Sequence, residues 1–311
     1  MMISLKRVTK LYGIVIGVND INLELPAGAY GLLGPNGSGK TTLLNLITGQ
    51  LRPSQGSVGL FDSDPFRDTA PLGQVGLCPA MDILPTDVTG FEWVKYMMQL
   101  QGFDPTEAAR LANQALDQVR LDDARNRDIA GYSRGMKQRV KLAQAIAHEP
   151  NLLILDEPMA GLDPIARRDM TDLLRGWISN GKSILMASHI LYEVEAVADN
   201  FLLIHGGRLL ASGSTDEIYS LLEDVPRQID VVCDDAARLA VLVQRQGCID
   251  SVQFHEGGEG LTMFTRRPLE VYQQLPVWIE EEKLTIKEVI SGDESLQALF
   301  ETLMQIHRGQ V

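Results

Sequence analysis

The chain has 311 residues, 45% of them apolar, which is enough for two domains with sizeable cores and argues against global disorder. Its net charge of −13 argues against nucleic acid as the main partner, because neutralising phosphates needs clustered Lys and Arg. Three scattered cysteines (Cys78, Cys233, Cys248) without C-x-x-C spacing suit unpaired thiols in a reducing compartment.

From the N-terminus, Met1 to Lys10 is short, basic and strand-like rather than a secretory signal, and no apolar run of about eighteen residues offers a membrane span. A cytosolic chain is expected. Alternation predicts strands over Ile3 to Tyr12 and Ile21 to Leu25. Tyr12, at the end of the first, either stacks on a base or closes a small sheet. An apolar strand, Ala29 to Leu33, leads into a glycine-rich loop and a helix from Thr42 to Thr48; a short strand follows from Ser57 to Phe61. Gln74 to Cys78 reads as a buried strand running into the proline-flanked loop 79–85. Helical patterning then fills residues 88–148, with segments around Phe91 to Leu100, Glu107 to Val119 and Ser133 to His148. Asn151 to Leu155 and Ser183 to Ala187 read as strands buried on both faces, as in a parallel sheet. Between them lies a helix from Pro164 to Ile178, with Asp163 as N-cap. Phe201 to His205 and Arg208 to Ala211 form a hairpin around Gly206-Gly207.

Beyond about Leu222 the patterning changes. Strands are predicted at Gln228 to Val232, Ile249 to Phe254, Leu261 to Phe264 and Leu284 to Ile290. Helices are predicted at Asp235 to Gln246, Leu269 to Leu275 and Ser295 to Ile306. The first six elements follow the βαββαβ, ferredoxin-like order. This block carries roughly twice as many acidic as basic residues.

Gly34-Pro-Asn-Gly-Ser-Gly-Lys40-Thr41 fits G-x-x-x-x-G-K-[ST], the phosphate-binding P-loop or Walker A motif. Its backbone N–H groups and the following helix N-terminus face β- and γ-phosphates. Lys40 adds a point charge, and the Thr41 hydroxyl is placed to ligate Mg²⁺. Leu152-Leu-Ile-Leu-Asp156-Glu157-Pro158 reads as a Walker B strand: Asp156 would orient the Mg²⁺ shell and Glu157 would polarise a water as general base. Ser133, before a helix, is either an N-cap or part of an anion site, since both use one geometry.

The order of motifs carries more than any one of them. Walker A, a helical insertion, Ser133-x-Gly135-x-x-Gln138-Arg139, Leu155-Asp-Glu-Pro158, Gly161-Leu-Asp163 and a strand ending at His189 together resemble the ATP-binding-cassette (ABC) ATPases over residues 3 to about 222. The resemblance implies an α/β P-loop NTPase of the ABC type over residues 1–222. That is a RecA-like core with an antiparallel β subdomain and a helical subdomain at about 86–150. Residues 223–311 would form an accessory α+β domain. The cofactors implied are ATP and Mg²⁺. Tyr12 would stack on adenine; Gly34, Pro35, Asn36, Gly37, Ser38, Gly39, Lys40, Thr41 and Thr42 would hold the phosphates and Mg²⁺. Glu157, His189 and Lys40 would be catalytic, with His189 sensing the γ-phosphate. Ser133 and Gly135 would contact the γ-phosphate of ATP held by the opposite subunit, and Asp163 would line the dimer interface. Two cassettes would therefore close head to tail on two ATP molecules.

Two departures stand out. The signature reads Tyr132-Ser-Arg-Gly-Met136, a form similar to that of cassettes paired with ABC-2-type permeases, mostly exporters. The glutamine that the family places after the strand ending at Cys78 is replaced by Ala80, which can neither ligate Mg²⁺ nor hydrogen-bond water; either Asp82 moves in, or hydrolysis is slow and its coupling altered. Ser295-Leu296 to Phe300 also resembles the terminal helix of extensions on such cassettes. The reading is an ATP-hydrolysing subunit on the cytoplasmic face of a membrane, bound to a separate permease through the helical subdomain near Phe91 to Gln101. Its rivals are a soluble ABC ATPase and a low-turnover regulatory module.

Overall fold

The computed structural model describes residues 1–81, 84–220, 226–245, 247–255, 257–291 and 300. Asp82 and the segment from Ser295 to Leu299 lie outside the described residues. The chain divides into two compact units, Met1–Gly213 and Ser214–Val311.

The first unit opens with β1 (Ile3–Tyr12), β2 (Val15–Leu25), β3 (Ala29–Leu33), α1 (Lys40–Ile47), β4 (Gln55–Leu60) and β5 (Val75–Cys78). Helices α2 (Gly90–Leu100), α3 (Pro105–Gln118) and α4 (Arg134–Ile146) follow and pack on one another. The unit closes with β6 (Leu152–Asp156), α5 (Pro164–Ser179), β7 (Ser183–Ser188), α6 (Leu191–Glu195), β8 (Asn200–His205) and β9 (Arg208–Ser214). Two sheets result. One is antiparallel in the order β2-β1-β4; the other has six strands in the order β5-β6-β7-β3-β8-β9, parallel from β5 through β8. Every residue of β6 and β7 is buried, which explains their unbroken apolar runs: neighbours cover both faces of a parallel sheet. Leu43, Leu44 and Ile47 of α1 join the two sheets into one core with Leu5, Ile154 and Leu202.

The second unit contains α7 (Thr215–Ser220), β10 (Arg227–Cys233), α8 (Ala236–Arg245), β11 (Ser251–Phe254), β12 (Gly260–Thr265), α9 (Pro268–Glu282) and β13 (Ile286–Ser291). Its strands form an antiparallel sheet in the order β11-β12-β10-β13, so β10 to β13 run in βαββαβ order. A separate core gathers Ile229, Val231, Leu239, Val243, Leu261 and Trp278. Cys233 and Cys248 are buried within this core, and burial raises both thiols above their ordinary range.

Two elements run further than the sequence suggests. β2 starts at Val15 rather than Ile21, because Gly13 at φ +62° turns the chain and Tyr12 pairs with Val15. Helix α9 continues through Pro276 to Glu282. Proline removes one helical hydrogen bond, but Val271, Leu275 and Trp278, spaced i, i+4, i+7, are buried on one face and hold both halves together.

Candidate functional site

Four adjacent strands of the parallel sheet, β5, β6, β7 and β3, each end at the same edge with a sequence-predicted feature. β5 runs into Pro79-Ala80, β6 ends at Asp156 before Glu157, β7 ends at Ser188 before His189, and β3 opens the P-loop. The carboxyl edge of such a sheet is where ligands of open α/β folds bind.

The P-loop backbone is built for close approach. Gly39 sits at φ +108°, and a Cβ there would lie 2.5 Å from the Gly17 carbonyl. A Cβ at Gly34 would lie 2.3 Å from the Ile204 carbonyl, so the loop packs tightly on β8. Lys40 is the first residue of α1, is buried, and folds back to donate to the Gly34 carbonyl at 2.7 Å and to that of Pro35 at 3.3 Å. Ser38 Oγ is buried inside the loop without a hydrogen-bond partner, whereas Asn36 is exposed at its tip.

Walker B meets Walker A directly. Thr41 Oγ1 donates to Asp156 Oδ2 at 2.7 Å, although the two are 115 positions apart. Burial lifts the Asp156 carboxyl above its ordinary value; the Thr41 hydroxyl and the charges of Lys40 and Lys141 pull it back, while Glu157 adds to the rise. Glu157 adopts a left-handed φ of +50°, and its N–H donates to the Ala187 carbonyl. Strain of this kind in a non-glycine residue clusters at active sites. Its carboxylate lies 3.5 Å from Lys40 Nζ and 2.9 and 3.0 Å from His189 Nδ1. The imidazole therefore turns its Nδ1 proton to Glu157 and keeps Nε2 for another partner.

Behind this group lies a relay that sequence reading missed. Ser188 Oγ lies 3.4 Å from Glu157 Oε2 and donates to Glu193 Oε2 at 2.9 Å. Glu193 of α6 is 2% exposed, and its Oε1 lies 3.4 Å from Arg167 Nε of α5. Ser188 directly precedes His189 in the sequence and could have been flagged from that position. Glu193 and Arg167 carry no signal, since charged residues on amphipathic helices are usually solvated.

Not every predicted residue joins this cluster. Tyr12 is 46% exposed, with its hydroxyl 3.5 Å from Thr42 Oγ1 at the start of α1. Ser133 is exposed and caps α4, accepting from the Met136 N–H. Asp163 likewise caps α5 by accepting from the Ala166 N–H at 2.8 Å. Gly135 lies beside Leu162, so signature and D-loop residues meet each other, but neither Ser133 nor Asp163 hydrogen-bonds to the P-loop.

The ABC transporter family matches residues 18–160. The chain is 35% identical over 220 residues to the Nod factor export ATP-binding protein I of Cupriavidus pinatubonensis, covering 70% of this chain and 67% of that protein. The protein of the same name from Rhizobium johnstonii is 32% identical over 275 residues, covering 88% of this chain and 87% of the relative. The chain belongs to the ABC transporter ATP-binding subunits. Among solved structures, that of the ATP-binding subunit of an ABC transporter aligns with a TM-score of 0.65 and 27% identity, over 71% of this chain and 93% of the other. This ABC subunit binds ATP and is an ATPase, and no helix among its described residues is long and apolar enough to cross a membrane.

The ABC subunit's residues fit the groups it would hold. Positive-φ glycines and the free N-terminus of α1 suit triphosphate oxygens. Asp156 Oδ1 is buried without a hydrogen-bond partner, beside a hydroxyl oxygen, which suits a hard cation. Among the described residues no group of three or more His, Cys, Asp or Glu could hold a metal. Mg²⁺ commonly takes only one or two protein oxygens and completes its shell with substrate phosphates and water.

Proposed function

We propose that this chain is the energising subunit of an ABC exporter of the ABC-2 type, and that Thr41 and Asp156 hold Mg²⁺ against the ATP phosphates. The 2.7 Å bond between Thr41 and Asp156 carries the reading, because it brings Walker A and Walker B side chains to one point. Mg²⁺ there would supply charge neutralisation for the phosphates. Lys40 adds positive charge beside them, and Tyr12 offers its half-exposed ring to the adenine. Glu157 takes the proton of the attacking water, and His189, hydrogen-bonded to that carboxylate, holds the base in register and offers Nε2 to the γ-phosphate. Ser133, Gly135 and Asp163 complete the site of a second cassette. The cassette occupies residues 1–222 and the accessory domain residues 223–311, although the compact units part slightly earlier, between Gly213 and Ser214.

The permease would dock on the helical subdomain near α2, which presents Tyr96 and Leu100 as exposed apolar residues and keeps the subunit on the cytoplasmic face. The names of the export relatives support the direction of transport. A soluble or low-turnover cassette is less favoured, because Glu157 and His189 are already in hydrogen-bond contact. Phosphate release and ATP binding by wild type, Lys40→Ala and Glu157→Gln test the chemistry. Glu157→Gln should lose about 10²- to 10⁴-fold in turnover while still binding ATP. Equal turnover in Glu157→Gln would remove Glu157 as the base. Co-purification of the wild type with a membrane protein that raises or couples its ATPase tests the transport role.

A further inference from the structure

Lysine is among the residues least often buried unless paired. Lys141 lies in the middle of α4 and is 2% exposed. Its Nζ donates to the Pro79 carbonyl at 3.1 Å and to the Ala80 carbonyl at 3.4 Å, more than sixty positions away. One turn earlier, Gln138 is also buried, and its Nε2 reaches Cys78 Sγ at 3.7 Å. The helix that begins with Ser133 thus grips the end of β5 through two polar side chains. Cys78 pairs with Leu155, the residue before Asp156, so this grip lies one strand from the buried carboxylate. Ala80, at the end of that strand, has only a methyl group to offer the site.

We propose that Lys141 is a positioning residue of the metal and nucleotide site: from the signature helix it fixes the Pro79 and Ala80 backbone at the strand end beside Asp156, where the methyl group of Ala80 offers no side-chain anchor of its own. The inference rests on the assignment of Asp156 and Thr41 to Mg²⁺ above. It ties the helix that faces the opposite nucleotide to the strand ends that hold the chain's own. The two hydrogen bonds fix the backbone that follows β5.

Lys141→Met removes both donors and charge at similar volume; Lys141→Gln keeps donors without charge. Three readouts separate positioning from mere packing: the Mg²⁺ concentration at half-maximal turnover, ATP affinity without metal, and amide exchange of the nucleotide-free peptide spanning Ala80. In Lys141→Met the Mg²⁺ midpoint should rise about 10- to 100-fold, the range typical of losing an outer-shell group of a metal site. Metal-free ATP affinity should stay within about twofold, far short of that 10- to 100-fold cost, and exchange should quicken in the Ala80 peptide. Lys141→Gln should move the midpoint less, and adding Ala80→Gln to Lys141→Met should recover part of it. An unmoved midpoint in both Lys141 variants overturns the proposal, as does a parallel fall in metal-free ATP affinity. If Lys141→Met does not fold, the Gln variant is held to the same criteria, its midpoint having to rise. Thr41→Ala tests the metal assignment separately. An unchanged midpoint there overturns the metal site itself, whereas a shift there with none in the Lys141 variants overturns only the role of Lys141.

Discussion

Glu193 is the residue whose environment most needs a reason. It is buried, its carboxyl is lifted above the ordinary value chiefly by desolvation, and its partners are the Ser188 hydroxyl and the Arg167 guanidinium. A buried carboxylate is costly unless paired, and here the pairing leads through one hydroxyl to Glu157. The relay holds Ser188, and with it the end of β7 from which His189 departs. Glu193→Gln and Ser188→Ala should each lower turnover by about tenfold with little change in the KM for ATP, the pattern of a lost transition-state interaction. Because both act through one path, the double variant should lose little more than either alone. Additive losses in steady-state kinetics would show that Glu193 acts elsewhere. His148 supplies a test by pH. Its Nε2 bonds the Val75 carbonyl at 3.1 Å, and burial pushes the imidazole below its ordinary 6.5 despite that bond. The folded chain therefore binds this proton less tightly than the unfolded chain does. The contribution is intact above 6.5 and is lost as pH falls from there through the folded value. Asp156 and Glu193, with raised carboxyls, have the opposite sign and lose stability as pH rises. The difference between wild type and His148→Gln isolates the histidine: thermal melts should show the variant losing less stability on acidification below 6.5. Parallel pH curves would refute the assignment.

At the scale of elements, the starts of α2, α3, α4 and α5 are set by side-chain caps. Thr89 and Glu92 form a reciprocal capping box at α2, Asp104 caps α3 ahead of Pro105, and Asp163 caps α5 ahead of Pro164. Thr89→Ala should cost about 1 kcal/mol, a fall of about 2–4 °C in the melting temperature of a unit this size. Basal ATPase should stay unchanged, since α2 carries none of the candidate catalytic groups; a matched loss of turnover would show that the helical subdomain feeds back on the site. These caps are also why the elements were legible in the sequence. Proline at N1 after aspartate, and glycine-rich turns between apolar runs, write a helix or strand end into a few adjacent residues. The Walker A and B residues were legible for the same reason, each being local to one strand end. What escaped notice depends on partners far along the chain. The start of β2 is set by pairing with β1, α9 crosses Pro276 on the strength of its buried face, and Lys141 and Glu193 gain meaning only from carbonyls and carboxylates that the fold brings to them. Periodicity tells which face of a helix is buried, not what lies opposite.

At the scale of the whole molecule, the signature residues pose the remaining question. Ser133 stands exposed at the N-terminus of α4, and its hydrogen bond is to its own helix rather than to the P-loop. Lys40, Thr41, Asp156, Glu157 and His189 come together within one chain, and in the proposed site only the far side of the γ-phosphate would be left uncovered. On the function proposed above, a second cassette would supply that cover with its Ser133 and Gly135, and ATP between the two surfaces would join them. A chain of net charge −13 gains little from meeting its copy unaided, because the long-range term between two such molecules is repulsive. Association should therefore depend on nucleotide and be shortest-lived where nucleotide is consumed. Light scattering should find wild type and Glu157→Gln monomeric without nucleotide, and Glu157→Gln dimeric with Mg-ATP but not with Mg-ADP, since only the triphosphate reaches across. Adding Ser133→Arg to Glu157→Gln should abolish the dimer while leaving ATP binding to each chain intact, because a bulky cation cannot enter the cover. A Glu157→Gln chain that binds Mg-ATP and stays monomeric would mean that the complementary surface belongs to a different cassette. A dimer that survives Ser133→Arg would mean that the two chains meet through another face.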